Sequence, residues 1–153
     1  MLLPEGILTM KVLLKKLKEN ALLPVRGSAF AAGYDLCACI ENPMPVAPHE
    51  TVKIGTGISA AIPAGWFGAV FARSGLACKE GLRPANCVGV VDSDYRGEIM
   101  VAVHNDSSEK RYIEPGERIA QLVILPFLET EFAWAEDLPE TERGEGGFGS
   151  TGK

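Results

Sequence analysis

What this sequence lacks narrows its possibilities before any motif is read. No apolar run approaches the ~20 residues a membrane-crossing helix needs, and the strongest, Leu122 to Leu125 with its flanks, is far shorter. The amino end, MLLPEGILTMKVLLKKLK, sets its lysines after the apolar residues and has no continuous apolar core, so it does not read as a secretory signal. There are four cysteines, at 37, 39, 78 and 87, with no C-x-x-C among them, and two histidines, His49 and His104. Zinc-type ligand spacing is therefore missing. Cys37 and Cys39 stand two apart on one expected strand, where side chains share a face but do not readily bridge. Free thiols in a reducing, intracellular compartment are expected. Positive charge is also short: 15 Lys and Arg against 20 Asp and Glu leave a net charge of −5. That balance argues against holding a nucleic acid through bulk charge, and any polyanionic ligand must meet a local cluster of cations. Neither nucleic acid nor membrane is expected as a partner.

What is present is ordinary in amount and unusual in punctuation. At 153 residues, 46% apolar and 23% charged, the chain suits one globular domain. Its 17 glycines and 10 prolines exceed the ~12% of average usage and are scattered, so few windows hold a helix of three turns. Short strands follow: Tyr34 to Ile40, Thr51 to Ile54, Ile58 to Ile62, Trp66 to Phe71, Cys87 to Val91, Glu98 to Val103 and Arg118 to Leu125, the last ended by Pro126. Residues 11–17 fit either a strand or a short amphipathic helix. One helix start is convincing: RSGLACKEGL, with Ser74 as the expected N-cap and Gly81 as the stop. Asp, Ser and Gly in DSDYRG predict a wide hairpin between the strands on either side of it. From Glu136 onward the chain is polar and glycine-rich, the composition of a mobile tail. Strands at this spacing predict an all-β sandwich or barrel with one short helix. The expected division is an N-terminal extension over 1–10 (Met10 being a second candidate start), a β domain over 11–136, and a tail over 137–153.

Five segments carry more polar chemistry than folding requires. In AAGYDLCA, Asp35 lies inside an apolar strand and must be paired or hydrogen-bonded to stay charged. In ARSGLA, Arg73, Ser74 and Gly75 set a guanidinium, a hydroxyl and backbone N–H groups around a helix start, which suits phosphate. In GVVDSDYRGE, Asp92 is a candidate general base toward water and Tyr95 an aromatic surface for a sugar or base. GERIAQLV places Arg118 and Gln121 on a strand, where Gln121 reads equally as an outward-facing residue. RGEGGFGSTGK offers Arg143 and Phe148 in a glycine-rich stretch able to wrap a phosphate.

In this order and spacing the five segments resemble the five motifs of the trimeric dUTP pyrophosphatases (dUTPases), from about Lys11 to Gly152. Ala72 departs from the proline common before the Arg-Ser-Gly. The resemblance implies a distorted jelly-roll or β-clip barrel, a homotrimer with shared active sites, and Mg2+-dependent hydrolysis of dUTP to dUMP and diphosphate. It assigns Asp92 to activation of the attacking water and Tyr95 to packing under the deoxyribose. Asn86 and the backbone of Val90, Val91 and Met100 would read the uracil. Arg73, Ser74, Gly75 and Gln121 would hold the phosphates. Arg143, Phe148, Gly149, Ser150 and Thr151 would close over the nucleotide from another chain. Asp35 would order the site through water on the metal, with no direct protein ligand. A dCTP deaminase of the same fold is the nearest alternative, but its motif usually has a second serine where Gly75 stands. A catalytically silent nucleotide-binding jelly roll is disfavoured because all five motifs keep their polar residues.

Overall fold

The computed structural model describes residues 9–147, and its regular elements are strands except for one short helix. In chain order these are β1 (Leu13–Lys16), β2 (Val25–Arg26), β3 (Tyr34–Cys37), β4 (Met44–Val46), β5 (Thr51–Gly55), β6 (Ile58–Ala61) and β7 (Trp66–Phe71). The helix α1 (Ser74–Glu80) follows, then β8 (Leu82–Pro84), β9 (Gly89–Val91), β10 (Met100–Asn105), β11 (Arg111–Ile113) and β12 (Arg118–Pro126). All pairings are antiparallel, in four sheets: β2-β3-β12-β7-β9, β5-β10-β8, β1-β6 and β4-β11. They wrap one core in which Leu36, Val46, Ile54, Leu82, Ile99, Val101, Val103, Ile113 and Ile119 are essentially sealed from water. In β10 the alternation Val101, Val103, Asn105 inward against Met100, Ala102, His104 outward is the period-two pattern of a half-buried strand.

Three local expectations change. Residues 11–17 resolve as strand, because β1 pairs with β6. DSDYRG is not a hairpin: β9 pairs with β7 and β10 pairs with β5 and β8, so residues 92–99 cross between two sheets. The turn itself is present, with Tyr95 N–H donating to Asp92 O at 3.2 Å, but partner choice depends on distant strands. The N-cap of α1 is Arg73, in extended backbone with φ −91 and ψ 127, and Ser74 is the first helical residue with no capping bond. Gly81 stops the helix as expected, at φ 70 in the left-handed region. The strands β2, β4, β8 and β11 escape the sequence reading because they are two or three residues long, and two of them contain proline. Pro45 is tolerated because β4 has a single partner, β11.

Candidate active site

The first cluster is organised by β12, which lies between β3 and β7. Arg118 and Gln121 are three apart, and on a regular strand they would face opposite ways. The pairing slips between Arg118 and Ala120: Arg118 stands opposite Cys37, Ala120 opposite Leu36 and Gln121 opposite Asp35. This bulge buries Ile119 and Ala120 in succession and returns Arg118 and Gln121 to the face shared by Asp35 and Cys37. Arg73, just past the end of β7, reaches the same point.

Asp35 is 13% exposed and holds two cations, Arg73 Nε on Oδ1 at 2.8 Å and Arg118 on Oδ2 at 3.3 Å. Arg73 also donates to the Arg118 carbonyl at 3.3 Å. Gln121 Nε2 donates to the Ala72 carbonyl at 2.8 Å, fixing the turn that delivers Arg73. Gly33 makes room for this: a Cβ there would lie 2.2 Å from Gln121 Oε1. Two guanidiniums share one carboxylate, so the cluster carries a surplus positive charge toward any anion. Burial, and then the neighbouring Asp35, push the Cys37 thiol above its ordinary value, so it stays protonated and passive. Ser74 and Gly75 are exposed beside Arg73. The reading of Gln121 as merely outward-facing is thus replaced, and Ser74 is not spent on capping the helix.

The second cluster lines a cleft of about 300 Å3 in which Val90, Val91, Asp92, Tyr95 and Met100 meet. Strand β9 pairs on one side only, which leaves its outer edge open. Tyr95 donates its hydroxyl to the Glu98 carbonyl at 3.0 Å, and its ring lies so close over Gly97 that a Cβ there would stand 2.4 Å from the phenol oxygen. Arg96 closes the loop from inside, donating to Ser93 O at 2.6 Å and Tyr95 O at 3.0 Å. The Asp92 side chain is exposed and takes part in no hydrogen bond or ion pair with other described residues. Ala85 N–H donates to Ala102 O at 2.7 Å, so β8 continues beside β10 and brings Asn86 toward its Met100 end. Lys53 and Glu98 also line this cleft and, with Arg118, are the residues sequence reasoning missed. Arg118 stood in a singled-out segment but had no reason to face Asp35 until the bulge supplied one.

Within one chain the two clusters stay apart. Val91 pairs with Gly68 and Gln121 with Phe71, so Asp92 and Gln121 are separated by about four residues along β7 and two strand spacings across it, on the order of 15 Å. Arg143 lies in neither cluster: it is exposed and donates to Gly146 O at 2.7 Å within its own turn. Phe148, Gly149, Ser150 and Thr151 lie outside the described residues. A wider groove of about 750 Å3, lined by residues including Lys18, Asn20, Cys39 and Met44, contains none of the predicted site residues. Its bond from the Cys39 thiol to Asn20 Oδ1, 3.0 Å, is structural. Size alone does not identify the site here.

Known proteins give this geometry a context. The dUTPase family model matches residues 19–152. The chain is 53% identical over 131 residues to a deoxyuridine 5'-triphosphate nucleotidohydrolase of Desulfitobacterium hafniense, spanning 85% of this chain and 87% of that protein. A protein of the same name from Hydrogenobaculum is 46% identical over 143 residues, with 94% and 99% of the two chains covered. Among solved structures, a Staphylococcus bacteriophage 80alpha dUTPase with dUpNHpp superposes with a TM-score of 0.85 at 30% identity, covering 95% of this chain and all of that one. A dUTPase from phage phi11 of S. aureus, described for its coordination of a structural Mg(II) ion, matches at TM-score 0.77 and 24% identity over 86% of this chain and all of that one. At that identity it bears on the fold alone.

Proposed function

Because the chain belongs to the dUTPase family, we propose how its residues divide the hydrolysis of dUTP to dUMP and diphosphate. That reaction is the function of the protein, on a jelly-roll fold. The roles below are our reading of the geometry.

Arg73, Ser74, Gly75 and Gln121 bind the triphosphate. The observation that carries this reading is the β12 bulge, which sets Arg118 and Gln121 on the same face as the Asp35–Arg73 pair. The guanidinium of Arg73 is held rigid before any ligand arrives, the condition under which it stabilises charge developing on a phosphoryl group. Asp92 takes the proton of the water that attacks the α-phosphorus, and its exposed carboxylate is at liberty to do so. Tyr95, locked over Gly97, forms the floor beneath the deoxyribose and leaves no space for a 2′-hydroxyl. Asn86 and the backbone of Val90, Val91 and Met100 read the uracil edge, using main-chain groups that would mispair with cytosine.

Mg2+ fits this site as an ion held by substrate phosphates and water. Each Asp35 oxygen accepts one guanidinium N–H and retains a lone pair for a metal-bound water. Such a donor set suits an ion that sheds its waters reluctantly. When bound, the ion would neutralise phosphate charge; with Arg73 and Arg143 it roughly balances the charge of about −4 that the triphosphate brings.

The assembly is a homotrimer in this reading. Two observations support it: the separation of Asp92 from the phosphate cluster within one chain, and an arm after β12 whose large apolar side chains from Leu128 onward stand exposed among the described residues. Leu128, Phe132, Trp134 and Leu138 of that arm are 89%, 93%, 104% and 83% exposed, a load of apolar surface that a lone chain would hardly carry into water. A second chain covers the arm, and residues 137–153 carry Arg143 and Phe148 to a neighbouring site. No helix among the described residues is long and apolar enough to cross a membrane. A reducing cytoplasm suits the four free thiols.

The experiment is product analysis with dUTP, dCTP, dTTP and UTP offered separately with Mg2+. Diphosphate and dUMP from dUTP alone match the assigned base and sugar readers. Hydrolysis of dCTP to dCMP at a similar rate contradicts the role of the uracil edge, hydrolysis of UTP contradicts that of Tyr95, and hydrolysis of dTTP means that the pocket admits a 5-methyl group. Deaminated product from dCTP would place the chain among the deaminases of this fold.

A further inference from the structure

Glu98 sits at the end of the loop that carries Asp92 and Tyr95, and it is tied on two sides. Its carboxylate Oε1 accepts the Gly57 N–H at 2.8 Å and lies within 3.8 Å of the Lys18 ammonium. It fits only because residue 55 is glycine: a Cβ there would stand 2.3 Å from Oε1. Gly57 presents its N–H from a turn at φ +71, a conformation that favours glycine. The next residue is gripped by the same turn, with Thr56 N and Oγ1 donating to Ile99 O at 3.1 and 2.7 Å. On its other side, the Glu98 carbonyl accepts the Tyr95 hydroxyl at 3.0 Å.

The loop between has no strand pairing and includes Gly97. Apart from the Ile99 backbone, whose carbonyl Thr56 grips and whose N–H donates to Ile58 O at 2.9 Å, the Glu98 carboxylate is its short tie to the turn between β5 and β6. Arg96 fixes the internal shape of the loop through Ser93 O and Tyr95 O, and its remaining contact with β6 is long, 3.5 Å to Ala60 O. We propose that Glu98 is a positioning residue for sugar discrimination: its carboxylate anchors the Tyr95 platform to the Gly55–Gly57 turn and thereby sets the clearance beneath the ribose. This rests on the reading of Tyr95 given above. A steric filter tolerates little play, since a platform that drops by a fraction of an ångström admits a hydroxyl it was built to exclude.

The test measures kcat and KM for dUTP and for UTP in Glu98→Ala, Glu98→Gln, Gly55→Ala and Tyr95→Ala, with circular dichroism and sedimentation to establish that each is folded and assembled. Glu98→Ala raises the UTP-to-dUTP ratio of kcat/KM roughly tenfold, since misplacement of about 1 Å carries costs of that order or more. Glu98→Gln keeps the ratio within about twofold, because its amide oxygen still accepts the Gly57 N–H and the exposed Lys18 contact contributes little. Gly55→Ala displaces the carboxylate without removing it and moves the ratio in the same direction as Glu98→Ala, which preserves the test should the truncation fail to fold. A folded Glu98→Ala with the wild-type ratio, alongside a Tyr95→Ala that relaxes it, overturns the proposal. A Tyr95→Ala with the wild-type ratio overturns the sugar-platform reading instead.

Discussion

The phosphate cluster and the nucleoside cleft are built on opposite plans. In the first, Asp35 holds Arg73 and Arg118, and Gln121 holds the Ala72 carbonyl, through contacts between 2.8 and 3.3 Å, with only Arg118 standing exposed. In the second, Val90 on an edge strand, Asp92 on a crossing loop and Met100 at the start of β10 stand exposed, and only Tyr95 is locked. In the proposed division of roles, the difference follows from what each cluster does. Groups that meet a highly charged ligand gain from being fixed in advance, because reorganising them later would cost part of the interaction. The carboxylate proposed to take a proton from water must keep an oxygen available, and in the proposed trimer a pocket completed by another chain has no reason to close within one.

Breaking that contrast at the cleft has the largest expected effect. Asp92→Asn removes the proposed base and lowers kcat by about 10³-fold, within the range of general-base contributions, while calorimetry finds dUTP affinity almost unchanged. Turnover within tenfold of the parent would sink the assignment. At the phosphate cluster, Asp35→Asn leaves Arg73 and Arg118 without their shared anion, and kcat/KM falls by about 10²-fold with a weaker dependence on Mg2+ concentration. An unchanged Mg2+ titration would remove Asp35 from metal ordering. Gly33→Ala sharpens the comparison without altering any charge: the added methyl displaces Gln121, so the cost, about tenfold in kcat/KM, reports the placing of Gln121 and of the turn it holds.

The smallest effect concerns pH. Cys37 has a raised pKa in the folded state, so it binds a proton there at pH values where the unfolded thiol has lost it. Its contribution to stability is therefore full below the ordinary thiol value of 9.0 and is lost as pH rises from there through the higher folded value. Iodoacetamide at pH 9 should modify exposed Cys78 and Cys87 well before Cys37. Equal rates would mean that the Asp35 face is more open than its packing indicates.

How much of this was legible follows the range of the interactions. Asp35 announced itself, since a carboxylate within an apolar strand needs a cation, and the structure supplies two. Gly81 could be read because a helix stop is local. Ser74 as N-cap and DSDYRG as a hairpin fail for one reason: a capping residue and a turn have good local chemistry, but which residue caps and which strands pair is settled elsewhere in the chain. Glu98 gave no signal, because its partners are Gly55, Gly57 and Lys18, and the hydrogen-bonded Gly57 is 41 residues away along the chain.

By itself the sequence determined the all-β class, through scattered glycine and proline and alternating apolar residues, and the chemical inventory of the site, through five segments in a recognisable order. These are properties of composition and short-range spacing, which survive without knowledge of the fold. Only the tertiary structure decided the rest. A single bulge in β12 turns Arg118 and Gln121 onto the face of Asp35, and a register of strands holds Asp92 on the order of 15 Å from Gln121. A one-residue slip reverses the side to which every later side chain points, and its cause lies in partner strands far away in sequence.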